Sequence, residues 1–352
     1  MDLTMGGRKV LPQPGQSLLE LVKQLGLDGS TLTERPLAAK IAGEIFTLNY
    51  IPVRQKEAEA DRQSMRRAMA ASNGEIRLLR YADPAGKECY IRTAQFTIFL
   101  AMRQLWPEAT AKMTCTLGSS VYISVAGAKD FSASTLKARV SELVGQDIPL
   151  IRRRVKLQKA IDRFREEGQT DKARLLSWRT VDYFDEYAYG DFADYYYGEM
   201  MPSTGYLTVW DILPADGGFV FVYPDDGNPE ICAKVPPMPN FFSVFNEGER
   251  WGELMECQTV ADLNDLTNSG RIRELIRVNE ALHEKRFSQV ADQVCQRGAK
   301  AVLLAGPSSS GKTTSANRLA TQLRVHGKKP ILMSLDDYYI DRDKIAPGPD
   351  GK

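Results

Sequence analysis

Apolar residues along this chain alternate between strand-like and helical spacing, and each change of period marks an element. Residues 3–10, followed by Leu11-Pro12-Gln13-Pro14-Gly15, predict a short hairpin. Leu18, Leu21, Val22 and Leu25 then share one helical face, which Gly26 ends. Residues 37–46 predict a strand pair turning at Gly43, and 76–81 a strand that closes the same sheet. A helix is expected from 91 to 105, stopped by Pro107. Further helices are expected over 132–144 and 151–178, a strand over 218–223, and an extended aromatic segment over 241–249. Residues 259–266 and 271–297 read as helices; in the second, Ile272, Leu275, Ile276, Leu282, Val290, Ala291 and Val294 form an apolar stripe that Gly298 ends. Two short apolar runs, 301–305 and 329–335, read as buried strands of a parallel sheet.

Composition narrows the class. A chain of 352 residues is long enough for two or three domains with cores of their own. Lys+Arg 46 against Asp+Glu 45 leaves +1, so no global charge points to nucleic acid or membrane. The five cysteines (Cys89, Cys115, Cys232, Cys257, Cys295) are scattered and never spaced C-x-x-C, which suggests reduced thiols in a cytoplasmic protein. No apolar run reaches the length of a membrane span. The charged run 54–67 mixes signs and reads as a solvated segment. Arg152, Arg153, Arg154, Lys156 and Lys159 give a basic helical face; it reads as a solvated surface, with RNA or phosphate binding the alternative. The tyrosine-rich stretch 183–206 reads as core or interface, not as a base-stacking platform.

The stretch with most chemistry is Gly306-Pro307-Ser308-Ser309-Ser310-Gly311-Lys312-Thr313, which fits the phosphate-loop pattern G-x-x-x-x-G-K-[ST] between an apolar run and a helical pattern. Glycines let backbone N–H groups of the loop (Gly306, Ser308, Ser309, Ser310, Gly311, with Thr314 beyond) converge on phosphate oxygens at a helix N-terminus. Lys312 is then the candidate for the outer phosphates of ATP, and the Thr313 hydroxyl for Mg²⁺. The plain alternative is a Gly/Ser turn. Asp336, Asp337 and Tyr339 follow the second apolar run, at the strand end where ligands bind in open parallel sheets.

Three resemblances attach to these residues. The order hairpin, helix and Ala39-Lys40-Ile41-Ala42-Gly43 resembles the TGS module, a small β-grasp domain of threonyl-tRNA synthetases and some GTPases. Gln104-Leu105-Trp106-Pro107, with the segment 194–205, resembles the second additional domain of threonyl-tRNA synthetases. That domain holds a metal with two histidines and a Cys-x-x-x-His. The matching positions here are Arg92, Phe96, Tyr196 and Met200, so no zinc site and no hydrolytic removal of a mischarged amino acid are implied. The phosphate loop followed by Asp336-Asp337-Tyr338-Tyr339 resembles the uridine kinase and phosphoribulokinase group. That resemblance implies Asp336 as the base for an acceptor hydroxyl, Lys312 as the catalytic cation, and Tyr339 as a contact to the nucleoside-like substrate.

The expectation is an α+β multidomain chain. A TGS-like β-grasp module at 1–81 precedes a synthetase-like α+β module at 90–230, a connector and bridging helix at 231–297, and the first part of an α/β P-loop kinase domain at 298–352. A kinase core needs at least about 150 residues, so the resemblance implies a domain truncated at Lys352 and inactive by itself. The leading functional expectation is ATP-dependent phosphoryl transfer to a nucleoside-like hydroxyl. The alternative is a non-catalytic RNA- or nucleotide-binding module related to the synthetase N-terminal region.

Overall fold

The two-residue turn Gly6-Gly7, with φ of 56° and 75°, reverses the chain between β1 (Leu3–Met5) and β2 (Arg8–Val10). Positive φ at both turn positions is the backbone twist a tight hairpin needs, and glycine adopts it without strain. The computed structural model describes residues 3–52, 75–236 and 239–340; the charged run 54–67 and the terminal loop 346–352 lie outside them. The chain divides into two compact units, Met1–Trp251 and Gly252–Lys352.

In the first unit, α1 (Leu18–Gln24) starts in a capping box. The Ser17 hydroxyl accepts from the Glu20 N–H, and the Glu20 carboxylate accepts from the Ser17 N–H at 2.7 Å. Strands β3 (Ala38–Ile41) and β4 (Glu44–Thr47) form the second expected hairpin, turning at Gly43. β5 (Glu75–Leu79) runs parallel to β1 and antiparallel to β3, so it joins the two hairpins into a sheet of order β2-β1-β5-β3-β4. Leu18, Leu21 and Val22 of α1 bury against Leu3, Met5, Ile41, Ile76 and Leu78 of that sheet.

The next helix, α2 (Pro84–Leu105), starts at Pro84 instead of residue 91; proline suits a first turn because its missing N–H has no partner there anyway. Helix α2 is buried on most of its surface, including Cys89, Tyr90, Ala94, Phe96, Ile98, Leu100 and Ala101. It packs against β6 (Thr110–Thr116) and β7 (Ser120–Ala126), α3 (Ala133–Gly145), and β11 (Asp211–Ala215) and β12 (Gly218–Val222). The four strands make an antiparallel sheet of order β11-β12-β7-β6.

Between β7 and β11 the chain departs from expectation. The single helix expected at 151–178 is instead β8 (Arg152–Lys156), α4 (Leu157–Glu166) and α5 (Thr170–Ser177). Gly168 at φ 73° separates the two helices. β8 pairs antiparallel with β9 (Tyr183–Tyr189), which also pairs with β10 (Phe192–Asp194). Arg153 and Arg154 face Glu186 and Asp185 across that ladder, so cross-strand ion pairs take the place of helical spacing. Residues 241–249, expected as extended, lie within α6 (Pro239–Leu254).

In the second unit, α7 (Val260–Asn268), α8 (Ile272–Gln296) and α9 (Lys312–Val325) are helical. Ala291, Ala320 and Leu323 are buried there, while Ile276 and Val290 of the expected stripe stay exposed. His326 pairs with Asp292 at 2.8 Å, and Arg318 with Glu284. Residues 301–305 and 329–334 form no strand; Leu303 is 96% and Ile331 86% exposed. A strand exists only by pairing, and neither run has a ladder partner among the described residues.

Gly86 sits where α2 crosses the backbone of Arg80: a Cβ there would lie 2.0 Å from the Arg80 carbonyl oxygen. Gly86→Ala is expected to destabilise the first unit by about 1–3 kcal/mol through overpacking. Urea unfolding followed by tryptophan fluorescence measures it.

Candidate functional site

Helical spacing on α2 places Glu88, Arg92 and Phe96 along one face, and the segment 195–201 crosses that face. Gly198 makes the crossing at φ 126°, a conformation that favours glycine, and a Cβ there would lie 2.6 Å from Arg92 Cζ and displace the guanidinium. Arg92 Nη1 donates to the Glu199 carbonyl at 3.1 Å, and Nη2 pairs with the Glu88 carboxylate. The Glu199 carboxylate pairs with Arg152 Nη1 at 2.8 Å and accepts from the Tyr187 hydroxyl at 3.0 Å. The N–H of Met200 donates to Tyr187 Oη at 3.2 Å, and that of Met201 to Thr93 Oγ1 at 3.0 Å. The ring of Phe96 meets those of Phe192 and Tyr196 edge-on at 5.3 and 6.2 Å.

Arg92, Phe96, Tyr196 and Met200, read from separate stretches of sequence, therefore border one site. Their chemistry is a fixed cation, two rings and a thioether. Burial pushes the Tyr187 and Tyr196 phenols well above their ordinary range, with the Glu199 charge adding to the effect on Tyr187. The Tyr196 hydroxyl is buried without a hydrogen-bond partner among the described residues. Burial also raises the Cys89 thiol to about 12, the Arg92 cation opposing it. Among the described residues no group of three or more His, Cys, Asp or Glu is placed to hold a metal ion. Nothing local in the sequence singles out Glu199, Tyr187 or Glu88; the acids at 185 and 186 that pair with the arginines are the signal of strand pairing it carries.

Residues 306–311 form a loop that runs directly into a helix. Ser309 and Gly311 have φ of 59° and 81°, and α9 starts at Lys312. Lys312 Nζ donates to the Pro307 carbonyl at 2.7 Å, lying back over its own loop. Gly306, Ser308, Ser310, Thr313 and Thr314 border solvent, Thr313 and Thr314 at the first turn of α9. Asp336 and Tyr339 are exposed too, Asp336 in a single 3-10 turn at Leu335–Tyr338. The strand expected to carry Asp336 is not formed.

No family model matches the chain. Among known proteins it is similar to the threonine–tRNA ligase of Halorhodospira halophila, 26% identical over 202 residues, which is 56% of this chain and 30% of that protein. It is similar to that of Symbiobacterium thermophilum at 25% over 223 residues, 62% of this chain and 31% of the relative. For Clostridium kluyveri the figures are 22% over 278 residues, 78% of this chain and 39% of the relative. The chain thus spans about a third of the length of these relatives. They correct the leading expectation: the similarity is to ligases, not kinases, and phosphoryl transfer by Lys312 and Asp336 to a nucleoside held by Tyr339 is not supported. Among the described residues no helix is long and apolar enough to cross a membrane.

A thiolate is the reactive form of cysteine, so Cys89 should resist alkylation in the native protein at about pH 8 and react only after unfolding. Peptide mapping by mass spectrometry checks this; labelled Cys89 in folded protein contradicts the environment described.

Proposed function

We propose that this chain is a non-catalytic RNA-binding module related to the N-terminal region of threonine–tRNA ligases. The observation that carries the reading is the rebuilt site on α2. Where the synthetase resemblance expects metal ligands, Arg92 lies under Gly198, held by Glu88 and the Glu199 carbonyl. Guanidinium stays protonated and cannot ligate Zn²⁺, and the neighbouring phenols stay neutral at physiological pH. None of Arg92, Phe96, Tyr196 and Met200 can activate a water molecule for hydrolysis, whereas a partly exposed arginine remains suited to binding an anion. The relatives are ligases of tRNA by name, which makes tRNA the RNA to test first. Purified chain is expected to bind tRNA in an electrophoretic shift assay, to carry no zinc after dialysis against chelator, and to leave seryl-tRNA intact. Stoichiometric zinc or measurable deacylation overturns the non-catalytic part, and absence of tRNA binding overturns the rest.

A second ligand class is carried by the 306–314 loop, which we assign to the phosphates of ATP with Mg²⁺, as a binding element without transfer chemistry. Its residues fit: Ser309 and Gly311 curl the backbone, Lys312 can leave the Pro307 carbonyl for a phosphate oxygen, and the Thr313 hydroxyl is open to a cation. Asp336 and Tyr339 have no part in it. Because the apolar runs flanking the loop pair with nothing among the described residues, no rigid sheet preorganises its N–H groups. Calorimetric titration with Mg-ATP should give binding weaker than micromolar, reduced further by Lys312→Ala; micromolar affinity, or no effect of the substitution, contradicts this assignment.

A further inference from the structure

The basic run 152–156, read as one face of a helix, becomes something different once it is a strand. In the antiparallel ladder Lys156 lies opposite Tyr183, Arg154 opposite Asp185, and Arg152 opposite Tyr187, so these side chains share one face of the β10-β9-β8 sheet. β8 is the edge strand of that sheet. The face is exposed at its Lys156–Tyr183 end and buried at its Tyr187 end, where Arg152 meets Glu199 beside the α2 site.

At the open end the Arg154 guanidinium lies 4.0 Å from the centre of the Tyr183 ring. Asp185 fixes it there with two hydrogen bonds, from Nε at 2.8 Å and Nη2 at 3.0 Å. A freely rotating arginine would lose conformational entropy on stacking; this one is already held over an aromatic ring. Tyr183 is 38% exposed and Arg154 exposed, so the stacked pair borders solvent beside Lys156. Charge alone does not account for the arrangement, because Asp185 and Glu199 offset two of the three cations on this face. What remains is a solvent-bordering arginine–tyrosine pair, preorganised by Asp185, with Lys156 on the same face.

The geometry points to this face of β8 and β9 as a stacking platform for unpaired bases of single-stranded RNA, with Arg154 and Tyr183 receiving a base and Lys156 a neighbouring phosphate. The inference rests on the RNA-binding reading above and adds where and how the contact is made. A base in a duplex has no free face to offer, so the platform selects single strands. Since the cations are largely offset, affinity should come from stacking and depend weakly on salt.

Fluorescence anisotropy on the whole chain tests this with a labelled single-stranded RNA of about ten nucleotides, the matching duplex, and tRNA. The single strand is expected to bind more tightly than the duplex. Tyr183→Ala should weaken it by about tenfold, the scale of one lost base stack, while Tyr183→Phe retains it. Arg154→Ala should weaken it similarly, and Lys156→Ala should mainly flatten the salt dependence. Tyr183 is at the surface, and thermal unfolding of each variant separates lost binding from lost fold. If tRNA binds but neither Tyr183→Ala nor Arg154→Ala changes the affinity for any of the RNAs, the platform is refuted and the general reading stands. Tighter binding of the duplex than of the single strand refutes the platform equally. If no RNA binds, both fall.

Discussion

The close approach of α2 to the backbone at Arg80 is the constraint from which the first unit follows. With no side chain at Gly86, the helix can start directly behind β5 and lie buried along most of its length. That position lets Tyr81 donate to the Pro224 carbonyl at 3.0 Å, and Tyr90 to the Val209 carbonyl at 2.7 Å. The five-stranded sheet and the four-stranded sheet are therefore held to one helix. Asn49 completes the join by donating to the carbonyls of Leu150 and Pro202. Since Pro202 adjoins Met201, the last residue of the segment that crosses the α2 site, the geometry around Arg92 is tied to the packing of the first module.

The parts legible in the sequence are those whose structure is local. The hairpins turning at Gly6-Gly7 and Gly43 and the capped helix after Ser17 each announce themselves within a few residues. The site at Arg92, Phe96, Tyr196 and Met200 is legible only through resemblance, since nothing local in positions 92 and 196 says that they meet. β8 escapes a reading by period because Arg152-Arg153-Arg154 has no apolar alternation; its strand identity lies in the acids of β9, some thirty residues on. The runs 301–305 and 329–335 fail in the opposite sense. Their composition favours strands, but β structure is a property of pairs, and apolar content alone supplies no partner.

The kinase expectation is overturned by the relatives, which are ligases. The pattern G-x-x-x-x-G-K-T is a short local motif, and Ser309 and Gly311 take positive φ within it. Kinase chemistry is not local: it needs a carboxylate brought to the loop by a sheet, and Asp336 lies on an exposed turn after an unpaired run. The relatives, matched over more than half of the chain, direct attention to the synthetase-like part.

The position of β5 has a consequence for how the first module comes together in time. Thr4 pairs with Glu75 in parallel, across nearly the whole length of that module, while β1–β2 and β3–β4 close within a few residues each. Hairpins of that kind form in microseconds, but a parallel pairing waits on a long loop closure whose entropy must be met first. During synthesis the two hairpins and α1 can sample their native shapes early, yet the sheet has no centre until β5 leaves the ribosome. Helix α2 follows it within a few residues, so the last strand of the first module and the first buried helix of the next emerge almost together. Loop-closure entropy thus makes the β1–β5 pairing the expected slow step in closing the five-stranded sheet.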